Sequence, residues 1–293
     1  MSQKTVIESR NTSGWKAFWN RGGWWKVVLV CVGYLVIYEG AQRLLEPVLR
    51  PYIVEDNPLG DTTSVLLGLV LPLAIGAVVL LCFSLSIGWL PRPLFGEQPV
   101  RGRWWMWPAP VFVVVASVAH FAGADYSRYE ATAVIAILVA GLLVGLTEES
   151  LTRGIGITLL RRGGYKEWSV MALSSLVFAL MHFSNLLSGQ TLGTVLPTVV
   201  YTFGFGISMY LTLRLGGRLV WPIMLHAITD PATMLASGGI DESVAGTDNS
   251  LLLVAFIATA GYAVWAVVAF IATRGDAQGR AEASEPATER AAG

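Results

Sequence analysis

Charged residues are scarce in this sequence. Only 14% of its 293 residues are Asp, Glu, Lys or Arg, against about 25% in an ordinary soluble domain, and 54% are hydrophobic. So little charge excludes a soluble enzyme with a normal surface, and so much apolar content excludes intrinsic disorder. The 20 basic and 20 acidic residues also cancel, so the sequence predicts no nucleic-acid partner.

Cysteine is nearly absent as well. Cys31 and Cys82 both lie in apolar stretches, where small buried thiols are ordinary. Two such residues provide neither a disulfide framework nor the paired spacing of a zinc site.

Long apolar runs are what the sequence has in abundance. A helix needs about 20 apolar residues to cross a bilayer core of about 30 Å, and stretches such as 65–81 and 251–272 carry almost no charge. Run length and interrupting charges therefore predict an all-α polytopic membrane protein with about eight transmembrane helices. The predicted spans are 24–46, 64–90, 104–122, 131–160, 168–188, 192–213, 219–236 and 250–273.

Basic residues alternate between the two sides of the predicted membrane domain. Sixteen of the 20 Lys and Arg residues fall in the N-terminal segment, the second, fourth and sixth connections, and the tail. The positive-inside rule makes that side cytoplasmic, and both termini with it. Ten of the 11 Trp residues lie near the same ends of the spans, where aromatic belts form. We expect a multi-pass integral membrane protein, in the plasma membrane if the chain is bacterial.

The chain is predicted to form one membrane unit without internal repeats or a separate soluble domain. Its sections are a cytoplasmic N-terminal segment (1–23), transmembrane helices 1–3 (24–130), a central helical core (131–236), the last loop with transmembrane helix 8 (237–273), and a cytoplasmic tail (274–293). The lipid bilayer is thus the first partner that this organisation implies.

Ionisable side chains inside the predicted spans are few. Each costs about 2.5–3.5 kcal/mol at the centre of a membrane helix, so each requires a partner or a function. Glu39 and Arg43 stand four residues apart in the first span, and we expect them to neutralise each other on one helix face.

A second set of ionisable residues lies in the fourth, fifth and seventh spans: Glu148, Glu149, Arg153, His182, His226 and Asp230. Glu149 and Arg153 stand four residues apart and can pair, whereas no basic residue stands three or four residues from Glu148. A carboxylate and two imidazoles are the usual parts of general acid–base or metal-assisted hydrolysis. A buried network that only holds the helices together is the alternative.

Three motifs in this part of the chain resemble the CPBP family, which comprises CAAX proteases and bacteriocin-processing proteins and is also called Abi. They are Glu148-Glu149-Ser-Leu-Thr-Arg153 (EExxxR), Phe178-Ala-Leu-Met-His182 (FxxxH) and His226-Ala-Ile-Thr-Asp230 (HxxxN/D). The resemblance covers about residues 130–236, and it implies that the section 131–236 is a catalytic core.

What the resemblance implies is peptide-bond hydrolysis within the membrane, on protein or peptide substrates. In the family, Glu148 would activate the attacking water with the help of His182, and His226 with position 230 would stabilise the oxyanion. The remaining motif residues would support the site; they are Glu149, Arg153 and Phe178.

Asp230 departs from the Asn that many family members have. An ionised carboxylate cannot donate a hydrogen bond to an oxyanion. Asp230 would instead lie beside His226 and favour the imidazolium, or be protonated itself.

Other interpretations of these residues stay open. A zinc protease would use Glu148, His182 and His226 as ligands and keep a fourth position for water, although the usual HExxH helix is absent. We prefer the mechanism without a metal or other cofactor. A non-catalytic binding or immunity protein would keep the polar network as a scaffold, but the complete catalytic set argues against it. A proton-coupled transporter has little support, because no inverted repeat is visible.

Overall fold

A computed structural model of the protein describes residues 14–240 and 250–276, without the side chains of residues 274–276. All regular elements within these residues are helical, which confirms the all-α fold class. The α-helices of the first half are α1 (Gly14–Asn20), α2 (Trp24–Leu49), α3 (Thr62–Val65), α4 (Leu71–Ser86) and α5 (Pro108–Gly123). Those of the second half are α6 (Ala131–Glu149), α7 (Ile157–Arg162), α8 (Glu167–Met181), α9 (Leu192–Gly216), α10 (Val220–Ser237) and α11 (Ser250–Asp276).

Short non-α segments interrupt or extend several helices. The 3-10 segments are Arg50–Tyr52, Trp104–Met106, Tyr126–Arg128 and His182–Ser188. A π-helical segment, Leu66–Val70, joins α3 to α4, and another, Ser150–Gly156, joins α6 to α7. Segments of π-helix are rare and frequently lie at functional sites. The second one begins directly after Glu149 and contains Arg153, so the EExxxR motif runs from the end of α6 into it.

Seven helical segments in the described part of the chain are long and apolar enough to cross a membrane. They are Trp24–Tyr52, Thr62–Ser86, Trp104–Gly123, Ala131–Arg162, Glu167–Ser188, Leu192–Gly216 and Ser250–Thr273. These correspond to seven of the eight predicted spans and confirm a polytopic membrane protein.

The remaining predicted span, 219–236, differs from the other seven. It folds as the helix α10, but it is not among the segments that qualify as membrane spans by length and composition. His226 and Asp230 reduce its apolar character. Ten of its 18 residues are buried between neighbouring helices, so protein shields His226 from lipid.

The basic connections meet at one end of the bundle. The backbone N–H of Gly23, before α2, donates to the carbonyl of Leu159 in α7 at 2.9 Å. The N–H of Gln98, between α4 and α5, donates to the carbonyl of Gly217 after α9, also at 2.9 Å. The N-terminal segment is therefore held against α7, and the second basic connection against the sixth.

A partly buried ionic network ties α7, α8 and α9 together at this end. Arg161 donates two hydrogen bonds to Glu167, at 2.7 and 3.0 Å, and the Tyr210 hydroxyl lies 2.5 Å from the same carboxylate. Arg214 donates to the Tyr210 hydroxyl at 3.1 Å. Arg161 and Arg214 are thus more than basic residues of the connections, because they help to join α7 and α9 to α8.

The other connections meet at the opposite end. The Asn57 side chain donates to the carbonyl of Arg128 at 2.9 Å, and the N–H of Glu130 donates to the carbonyl of Gly60 at 3.0 Å. The predicted N-terminal segment before residue 14, the loop 241–249 and the tail after residue 276 lie outside the described residues. The proposed section boundaries therefore stay predictions.

Candidate active site

Two glycines allow α10 to approach the backbone of α6. A Cβ atom on Gly145 would lie 2.5 Å from the carbonyl oxygen of Ile223 and 2.9 Å from the nitrogen of Ala227. A Cβ atom on Gly141 would lie 2.6 Å from the carbonyl oxygen of Ala227. Glycines spaced four residues apart commonly permit such contacts between membrane helices. This GxxxG pattern is readable in the sequence but belongs to none of the three motifs, and the close approach that it permits brings His226 against the end of α6.

We expect Gly145→Ala to lower the stability of the protein, because it would push α10 away from α6. Its new methyl group would meet backbone atoms, which cannot move without shifting α10, and overpacking of this kind costs about 1–3 kcal/mol. Thermal unfolding in detergent measures that cost. Gly204→Ala in α9 is the matched control, because its Cβ would lie 3.5 Å from the nearest atom, an ordinary contact. Equal stability of the two variants would contradict the proposed approach of α10.

His226 lies at the centre of the site and is buried. Its Nδ1 is 2.8 Å from Oε1 of Glu149, and a carboxylate only accepts hydrogen bonds, so Nδ1–H donates. Its Nε2 lies 3.4 Å from Oδ1 of Asp230 and 3.8 Å from Oε2 of Glu148. Three carboxylates thus surround one imidazole, and Asp230 takes the position beside His226 that the spacing allows.

Glu149 and Arg153 form a completely buried ion pair. Nη1 of Arg153 lies 3.2 Å from Oε1 of Glu149, and both side chains are 0% exposed. Their pairing agrees with the prediction from spacing. What the spacing did not indicate is that the same carboxylate oxygen also accepts from His226. Glu149 therefore connects the EExxxR helix to the HxxxD helix and orients the imidazole.

The guanidinium of Arg153 fills a slot made by two other helices. Its central carbon lies 4.3 Å from the ring centroid of Phe178 on α8, a cation–π contact. On α9, a Cβ atom at Gly206 would lie 2.9 Å from Nη2 of Arg153. Sequence reasoning missed Gly206, and no local pattern marks it, because only the tertiary packing puts it beside Arg153.

Glu148 lies in a different environment from its neighbour. Its side chain is 27% exposed, and it approaches the opposite nitrogen of His226. Adjacent helical residues point about 100° apart, so one carboxylate enters the buried ion pair while the other lines the accessible side of the site. Tyr34 and Tyr38 of α2 lie close enough to Glu148 to interact with it electrostatically. Neither tyrosine belongs to a motif, so the sequence alone does not mark them.

His182 begins the 3-10 segment that follows α8. Its Nδ1 lies 3.0 Å from the carbonyl oxygen of Phe178, which can only accept, so in the neutral ring Nε2 is the acceptor nitrogen. The Phe178 ring centroid lies 5.1 Å from that of His182 and 5.9 Å from that of His226. Phe178 is thus the aromatic wall that both motif histidines share.

The zinc alternative requires Glu148, His182 and His226 to converge on one point. Across residues 14–240 and 250–276, no group of three or more His, Cys, Asp or Glu side chains is arranged to hold a metal ion. In this arrangement Glu148, His182 and His226 do not form a ligand set for a metal ion.

The segment that carries the site also matches a protein family. Residues 130–232 match the model of the family described as Type II CAAX prenyl endopeptidase Rce1-like. No curated protein and no solved structure matches the chain. The matched segment begins one residue before α6, ends within α10 and contains all three motifs. The match covers about a third of the chain, and over this segment the chain is similar to CAAX proteases of the CPBP family, which supports an intramembrane endopeptidase of that general type.

Proposed function

We propose that this protein hydrolyses peptide bonds of membrane-associated proteins or peptides, with Glu148 as the base that activates water. The observation that carries the proposal is the contrast between two adjacent carboxylates. Glu149 is 0% exposed and bonded to Arg153 and His226, whereas Glu148 is 27% exposed beside the other nitrogen of His226. Of the two adjacent carboxylates, only Glu148 combines solvent access with a position beside His226.

The attack step uses Glu148 and His182. Glu148 takes a proton from a water molecule, and the resulting hydroxide attacks the carbonyl carbon of the scissile bond. The acceptor nitrogen Nε2 of His182 helps to hold that water. The attack converts the carbonyl oxygen into an oxyanion and leaves the proton on Glu148.

The oxyanion step uses His226. Its Nε2–H donates to the oxyanion, while Nδ1–H remains bonded to Glu149 and fixes the ring. One donor of this kind contributes about 2.7–4 kcal/mol in the transition state. Asp230, 3.4 Å from Nε2, acts on the imidazole rather than on the oxyanion, because an ionised carboxylate would repel negative charge. Collapse of the intermediate breaks the C–N bond, and Glu148 returns its proton to the leaving amine.

Comparison of protein termini in membranes tests this function. The name of the matched family points to proteins with a prenylated CAAX end as the first substrates to examine. Membranes of a wild-type strain should contain cleaved termini that are missing in a Glu148→Gln strain. Identical sets of termini in the two strains would contradict the proposal.

Chelation tests the zinc alternative on the purified protein. We expect cleavage to continue after extensive treatment with a chelator, since the proposed steps use only protein groups and water. Loss of cleavage on chelation and recovery on addition of zinc would assign Glu148, His182 and His226 as ligands instead.

The orientation in the membrane is a further part of the proposal. The end that collects the basic connections would be cytoplasmic, and both termini with it. Reporter fusions after Arg101 and Arg162 are expected inside, and fusions at Asp56, Asp125 and Asp248 outside. Asp248 lies outside the described residues. An inside signal at Asp56 or Asp125 would reverse the orientation, and one at Asp248 would contradict the last crossing.

A further inference from the structure

The outer half of α2 is poorly packed against the rest of the bundle. Its buried residues all lie in its first half: Lys26, Val27, Val30, Cys31 and Tyr34. From residue 35 to the end of α2, every side chain is exposed or half-buried. One face of this membrane helix is therefore open to lipid or to another protein.

Glu39 and Arg43 lie on this open face. Tyr34 faces the bundle. With 3.6 residues per turn, Glu39 lies about 140° and Arg43 about 180° around the helix axis from Tyr34. The two residues are about 22 and 28 Å along the helix from Trp24, so both fall within a membrane span of about 30 Å.

The expected neutralisation within α2 is wrong. Among the described residues, neither Glu39 nor Arg43 makes a hydrogen bond or an ion pair, and Arg43 is exposed. Two opposite charges that face lipid without pairing are unfavourable, and such residues in membrane helices normally pair with a protein group.

We propose that this face of α2 binds the same face of a second copy of the chain in a parallel dimer. Val32 lies at about 160° around the helix, midway between Glu39 and Arg43. A two-fold axis along the membrane normal that passes Val32 brings Glu39 of each copy opposite Arg43 of the other. The offset along the helix is four residues, about 6 Å, which a long arginine side chain can span.

Charge complementarity is what favours a second copy as the occupant. The patch carries an acid on one side of its midline and a base on the other, so it complements the same patch of a second copy. The dimer would contain two ion pairs, each between Glu39 of one copy and Arg43 of the other. The apolar residues on the same face are also open, with Val28, Val32 and Val36 exposed by 40%, 52% and 66%. They would pack along the midline of the interface.

Exchange of the two charges tests the dimer. Fluorescently labelled protein in lipid vesicles is counted by single-molecule photobleaching at increasing protein density. Glu39→Arg or Arg43→Glu alone should weaken dimerisation about tenfold, because each removes two interhelical pairs. The double variant Glu39→Arg with Arg43→Glu should restore it, which separates the interface from a folding defect. Recovery of the dimer by this double variant is expected only if residue 39 of one copy pairs with residue 43 of the other.

Crosslinking provides the positional control. In a Cys82→Ala background, Val32→Cys should form a disulfide between copies, whereas Val118→Cys on α5, which is 59% exposed, should not. A monomer at all densities, a dimer that neither single variant weakens, or a double variant that stays weak would each overturn the proposal. Crosslinking of Val32→Cys in native membranes to a different protein only would also overturn it. None of these measurements depends on peptide cleavage.

Discussion

Replacement of Glu148 by Gln is expected to reduce peptide cleavage by about 10²–10⁴-fold while the protein stays folded. Gln keeps the shape and the hydrogen-bonding capacity of the side chain but lacks the basic oxygen that accepts the proton of water. Stability should change little, because the side chain is partly exposed and lies outside the buried pair of Glu149 and Arg153. The measurement is cleavage of a peptide by the purified protein, with thermal unfolding in parallel.

Glu149→Gln is the matched control, since it changes the adjacent residue in the same way. Glu149 is buried and bonded to Arg153 and His226, so this variant should lose stability as well as activity. Robust cleavage by Glu148→Gln would refute the assignment of the base.

Double substitutions distinguish one catalytic unit from independent contributions. His182→Ala should reduce cleavage nearly as much as Glu148→Gln does. The double variant should lose little more, because the effects of residues that act as one catalytic unit do not add. His226→Ala should retain measurable cleavage, since one oxyanion donor contributes about 10²–10³-fold. Fully additive losses for Glu148 and His182 would mean that they do not act on the same water.

Substitution of Arg153 by Ala is expected to destabilise the protein by about 3–5 kcal/mol, as is usual when a buried ion pair is broken. The change leaves Glu149 with His226 as its remaining charged partner and empties the slot between Phe178 and Gly206. Denaturant or thermal unfolding in detergent measures the loss. Arg153→Lys should recover only part of it, because an ammonium group lacks the flat surface that lies on Phe178.

The exposed ion pair of Arg218 with Glu97 supplies the control for Arg153. Its two side chains are 59% and 70% exposed at an N–O distance of 3.2 Å. Surface pairs of this kind contribute about 0–1 kcal/mol, so Arg218→Ala should leave the unfolding midpoint nearly unchanged. If Arg153→Ala is as stable as the wild type and merely inactive, Arg153 takes part in the chemistry instead.

The membrane fold and the residues of the site follow from local properties of the sequence. The length of an apolar run determines whether a helix can cross a bilayer, so seven of the eight predicted spans coincide with membrane-competent helices. The cost of an ionisable group inside the membrane singles out Glu148, Glu149, Arg153 and His226 without any knowledge of contacts. Helical spacing also predicts the pairing of Glu149 with Arg153.

Relations between helices were decided by the tertiary structure alone. Run length did not reveal that α10 is a polar helix shielded by its neighbours, and spacing on one helix wrongly paired Glu39 with Arg43. The bond from His226 to Glu149 and the slot at Gly206 depend on how far each helix is rotated and how closely it approaches the next. The sequence by itself thus determined the membrane helices and their costly polar groups, because partitioning and helical spacing are local. Rotation and approach are set by small residues and side-chain packing across the bundle, so only the tertiary structure decided which polar groups meet.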